Sequence, residues 1–131
     1  MLALLLLLAA EPTCKATTNI PELLEGLQRT CRPEYKSLSL TGTHDEAIYE
    51  IRYAEDWTGK FVGFTPKATE LLNRAIAIHD IIQNFIFPAE ELVIKLRDGK
   101  AQPICAFRFL ADAEEPEDKF CTPVVGESPE S

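Results

Sequence analysis

The sequence predicts an α+β domain, an antiparallel sheet of about five strands with two helices packed on one face, in the order α-β-β-β-α-β-β. Three observations point to it. Residues 64–87 repeat apolar side chains at helical spacing. The segments on either side alternate polar and apolar residues, the pattern of half-buried strands. Turn-forming groups such as Asp56 to Gly59 and Asp98-Gly99 punctuate those segments.

The first element is a helix from Asn19 to Cys31. Asn19 and Glu22 have capping-box spacing, Pro21 suits the first turn, and Ile20, Leu23, Leu24, Leu27 and Cys31 share a face. Pro33 stops it. A strand from Tyr35 to Leu40 follows, then a polar turn from Thr41 to Asp45. In the second strand Ala47, Tyr49, Ile51 and Tyr53 alternate with Ile48, Glu50 and Arg52. Lys60 to Phe64 makes a short third strand leading into the long helix.

That helix organises the rest. At about 100° per residue, Leu71, Leu72, Ala75, Ile76, Ile78, Ile82, Phe85 and Ile86 gather on one side. Glu70, Asn73, Ala77, Asp80 and Asn84 lie opposite. Thr65 can cap it, Pro66 fits its first position and Pro88 ends it. Beyond it, Leu92, Ile94 and Leu96 face one way, and Asp98-Gly99 signals a hairpin. The return strand, Ala101 to Leu110, puts Cys105, Phe107 and Phe109 on one face. Pro103 has no amide hydrogen to donate and predicts an edge or a bulge.

The chain has 131 residues, and the apolar run Leu2 to Ala10 matches the core of a signal peptide, with cleavage near Ala10. A buried N-terminal strand or a misassigned start is the other reading of that run. Residues 11–111 suffice for one domain with one core. From Asp112 onward seven acidic residues meet one lysine, so −6 of the net charge of −8 sits in residues 112–131. That acidic, Pro- and Ser-rich tail predicts disorder outside Phe120 and Cys121. A nearly neutral body lacks the basic footprint for nucleic acid or anionic lipid, and no run is long enough to span a bilayer.

Four cysteines, Cys14, Cys31, Cys105 and Cys121, form an even set beyond the proposed cleavage point, as an oxidising compartment favours. Sequential pairing closes two loops of similar length, each worth about 3 kcal/mol in the chain-entropy model. Nested pairing, 31 with 105 and 14 with 121, joins two inward-facing positions. Spacing does not choose between them.

Catalytic signatures are scarce. There is no phosphate-binding glycine loop, nucleophile elbow or H-E-x-x-H, and the body's two serines, Ser37 and Ser39, fall in a strand without an adjacent base. Bridged cysteines leave no thiolate. No metal site is predicted, because His44, beside Asp45 and Glu46, has no second cluster at ligand spacing. His79 stands within the apolar arc of the long helix. It is either a core ring bonded to a carbonyl or to Tyr49 or Tyr53, or a pocket residue touching a ligand. Trp57 sits in a turn, where a large amphipathic ring makes a contact residue.

The run Tyr49, Glu50, Ile51, Arg52, Tyr53, followed by Trp57 and a helix entered near Ala68, resembles the opening of the SOUL/haem-binding family. There a Tyr-Glu-[Ile/Val]-Arg strand precedes a tryptophan and an amphipathic helix, and a Pro-containing strand follows, where Pro103 stands here. The family's Met-Thr-x-Pro-Val segment is missing; this chain reads Lys100-Ala-Gln-Pro103-Ile104. The resemblance implies non-catalytic binding of a tetrapyrrole or similar apolar ligand and transfers no binding residue. No cofactor is predicted from the residues themselves.

Together these features predict a secreted, disulfide-stapled, non-enzymatic binding protein. A small apolar ligand would lie between helix and sheet, lined by His79, Tyr49, Tyr53, Phe85 and Phe107. A protein-interaction module, an inhibitor or secreted effector using Trp57 and the Asp98-Gly99 tip, is the alternative. A small hydrolase or isomerase built on His79 is the third, and it needs a carboxylate within hydrogen-bond reach.

Overall fold

The computed structural model describes residues 14–54 and 68–121. Six strands form one mixed sheet in sequence order: β1 (Lys15–Thr18), β2 (Tyr35–Gly42), β3 (Glu46–Tyr53), β4 (Glu91–Arg97), β5 (Pro103–Leu110) and β6 (Asp118–Cys121). A 3-10 turn, Pro21–Leu23, leads into α1 (Leu24–Gln28), and α2 spans Ala68–Ile81 before widening into a π-helical turn, Ile82–Ile86. The α+β class holds. The purely antiparallel sheet does not.

Helical crossovers explain the difference. β1 pairs parallel with β2 across α1, and β3 pairs parallel with β4 across α2. A helix between two strands carries the chain back to its starting edge, which makes the pair parallel. Only the directly connected pairs, β2 with β3, β4 with β5 and β5 with β6, run antiparallel. Two of the six strands, β1 and β6, are four-residue edges that the sequence did not announce. The strand expected at Lys60 to Phe64 lies outside the described residues, as do the apolar run Leu2 to Ala10 and residues 122–131.

One face of the sheet is the core. Leu40 pairs with Tyr49, which pairs with Ile94, which pairs with Phe107, and all four are buried. The next row, Leu38, Ile51, Leu96 and Cys105, does the same. Leu27 of α1 and Leu71, Ala75 and Ile82 of the long helix close over this face. The other face carries Glu50, bonded to Arg97, and Arg108, which meets Glu91 at 3.3 Å and Asp118 at 2.8 Å. These are partly solvated pairs of small individual worth.

Turn chemistry departs from expectation at three points. Asn19 does not cap the first helix; its amide exchanges two hydrogen bonds with the Gly42 backbone at 3.1 and 3.2 Å. Asp98-Gly99 does not make a two-residue turn. Asp98 is fully buried, and its carboxylate accepts from the Lys100 and Gln102 amides, both at 2.9 Å, while Ala101 takes the left-handed conformation (φ 66°). The register shift between Leu96 and Arg97 leaves Ile104 as an extra residue beside Pro103, the bulge that a residue without an amide hydrogen favours.

Cysteine pairing is sequential: Cys14 to Cys31 and Cys105 to Cys121. The first bridge ties the β1 edge to the end of α1. The second crosses the β5–β6 ladder, where the two cysteines are register partners. Two bridges fit an oxidising, extracellular-type environment. Among the described residues no helix is long and apolar enough to cross a membrane.

Candidate functional site

The apolar face of the long helix is wider than the sheet needs, and its surplus opens to solvent. The cause is the change of helical pitch at Ile82. There the chain closes an i→i+5 bond, Phe87 N–H to Ile82 C=O at 2.6 Å. A wider turn advances each side chain by a smaller angle, so Phe85 leaves the buried arc that regular α-helical spacing assigned to it. Phe85 is 80 % exposed and Ile81 42 %. Single-turn π segments of this kind are often found at functional sites.

These residues form one bank of a groove of about 440 Å³ between the two helical segments. Ile78, Ile81, Ile82, Phe85 and Ile86 supply the apolar bank; Gly26, Arg29, Thr30, Cys31 and Arg32 supply the other; Tyr35 and Tyr49 floor it. That volume lies within the range of small-molecule sites.

The floor is braced. The Thr30 hydroxyl donates to the Leu27 carbonyl at 2.7 Å, so at the 2.9 Å contact with Tyr49 it is the phenol that donates. Desolvation by burial pushes the Tyr49 phenol up to about 12. Burial also raises Tyr35 and Tyr53. All three phenols therefore stay protonated at neutral pH.

The five side chains predicted to line one ligand cavity do not meet in one. Tyr49 and Phe85 reach the groove. Tyr53 and Phe107, as buried as Tyr49, do not line it and belong to the core, with Tyr53 edge-on to Tyr35 at 5.4 Å. His79 stands on the other flank of the helix. Its ring stacks on Phe109 at 4.3 Å and 12° and bonds the Leu110 backbone. Burial lowers its pKa, outweighing Asp80, which raises it. Its Nε2 has no partner, and a carboxylate hydrogen bond to that atom is not seen.

Trp57 lies outside the described residues. The Asp98-Gly99 tip offers less than a protruding loop would, because Asp98 is buried and the Gly99 carbonyl accepts two bonds from the Arg52 guanidinium at 2.5 and 3.2 Å. His44 packs against Phe87 at 4.6 Å. Among the described residues no three His, Cys, Asp or Glu side chains are grouped to hold a metal.

Sequence reasoning missed Arg29, Thr30, Arg32 and Tyr35. A basic pair flanking Cys31, just past a short helix, was a usable signal only with the 14–31 bridge known. Compared with known proteins, the chain matches no family model, no curated protein and no solved structure.

Proposed function

We propose that this protein is a secreted, non-enzymatic binder that holds a small apolar ligand in the groove between α1 and the π-helical end of α2. The observation that carries the reading is Phe85. A phenylalanine left 80 % in water beside Ile81, when Tyr35, Tyr49, Tyr53, Phe107 and Phe109 are buried, has a cost unless something covers it. The groove beside it supplies a concave seat with one apolar wall and a floor of Tyr35 and Tyr49. Two disulfides support work outside the cytosol.

The ligand site thus moves outward from the position the sequence suggested, to a cleft between two helices over the same sheet face. In this reading Tyr49 and Phe85 are among the lining residues. Tyr53 and Phe107 support from below.

Native mass spectrometry of protein purified from its secreting source tests the reading. A discrete co-purifying mass that organic extraction removes is the expected result. A bare polypeptide mass, with no uptake of added apolar compounds, would refute it.

A further inference from the structure

The polar half of the groove is one-sided in a way that specifies the ligand's head. Every described lining residue with hydrogen-bonding side-chain atoms lies on the α1 bank or the floor. The hydroxyl hydrogens of Thr30 and Tyr49 are spent on Leu27 and on Thr30 itself. That leaves the Tyr35 phenol with Arg29 and Arg32, of which only the arginines are charged, and no carboxylate is among the described lining residues. Arg29 and Arg32 are the charged members of the described lining, on a protein of net charge −8.

The carboxylates that do engage these arginines sit outside the groove. Glu25 meets Arg29 at 3.1 Å and Glu34 meets Arg32 at 3.2 Å, each through one nitrogen, with the arginines 76 % and 63 % exposed. A guanidinium carries five N–H donors in a planar fork, so most remain open to a second acceptor. Such solvated single contacts hold little energy and yield readily to a bidentate acid.

We propose that the groove selects an amphipathic anion, an apolar body against Ile78, Ile81, Phe85 and Ile86 with a carboxylate on Arg29 and Arg32. The inference rests on the groove being the ligand site and adds the charge of what it takes. Recognition divides between the banks: the apolar bank supplies affinity through buried area, and the arginine bank supplies the sign.

Isothermal titration of the full disulfide-bonded chain with dodecanoate, dodecanol and dodecylammonium, each below its aggregation concentration, separates the two ideas. Dodecanoate should bind about tenfold more tightly than dodecanol, the size of effect one charge-assisted pairing supplies, and dodecylammonium most weakly. R29Q/R32Q should erase that preference, bringing dodecanoate to the same affinity as dodecanol in the variant. Equal binding of acid and alcohol, or an undiminished preference in the double variant, would overturn the anionic assignment and leave the apolar groove standing. Binding of none of the three would overturn both.

Discussion

Replacing Phe85 with alanine separates a binding residue from a packing residue. In the free protein the ring is 80 % exposed, whereas Phe107, on β5 one strand in from the β6 edge, is 1 % exposed. Truncating Phe107 removes a full core aromatic and should cost about 3–5 kcal/mol of folding stability. Truncating Phe85 removes a ring already in water and should change stability by no more than about 0.5 kcal/mol. Binding reverses the ranking. Complete burial of a phenylalanine is worth about 1.5–3 kcal/mol, and an open groove covers about half of that ring. The loss should therefore be about 1 kcal/mol, a Kd roughly five times weaker. Urea denaturation followed by fluorescence measures the first quantity, and titration with an environment-sensitive apolar dye measures the second. A stability loss above about 2 kcal/mol for Phe85→Ala would show that the ring is core. Unchanged dye affinity would show that the groove is not where apolar molecules bind.

Other expectations follow from the frame that holds the groove. Gly42 has φ 121°, and a Cβ there would meet the Glu46 carbonyl oxygen and lie 2.8 Å from the Ala47 Cα, so Gly42→Ala should cost about 1–3 kcal/mol and lower Tm in a thermal melt. Removing the 14–31 bridge by paired Cys→Ala substitution should cost about 3 kcal/mol in urea denaturation, given its 17-residue separation; because that bridge also anchors the Arg29 bank, dye binding should weaken with it. The chain's three tyrosines are all buried. Their raised pKa values mean the unfolded chain loses phenolic protons first, so stability should hold up to pH about 10 and then fall by about 1.4 kcal/mol per pH unit per tyrosine. In an ultraviolet titration the phenolates should appear together with unfolding, and a gradual rise in the folded protein would contradict the brace.

Strong periodicity carried well from sequence to structure. Tyr49, Ile51 and Tyr53 face inward, as do Leu92, Ile94 and Leu96, and so do Cys105, Phe107 and Phe109. What did not carry depends on long-range geometry. Strand direction follows from crossovers through helices, and β1 and β6 are too short to have a period. Asn19 found the Gly42 backbone in preference to its own helix end. The site was half legible for a related reason. A wheel drawn at a constant 100° keeps Phe85 with Ile82, and only the local π turn, visible as the Phe87-to-Ile82 bond, moves it out. His79 drew notice as the polar member of an apolar arc, and its ring stacks on Phe109 and bonds the Leu110 backbone, away from the groove. The arginine bank was invisible until a bridge between Cys14 and Cys31 folded that segment over Tyr35 and Tyr49.

The most direct measurement is an amide NMR titration of the uniformly labelled protein with dodecanoate. Shifts concentrated at Gly26, Thr30, Arg32, Ile82, Phe85 and Ile86, saturating at one equivalent, are the predicted result. Shifts confined to the Asp98–Gln102 turn or the flank around His79, or none at all, would contradict a ligand seat between the two helices.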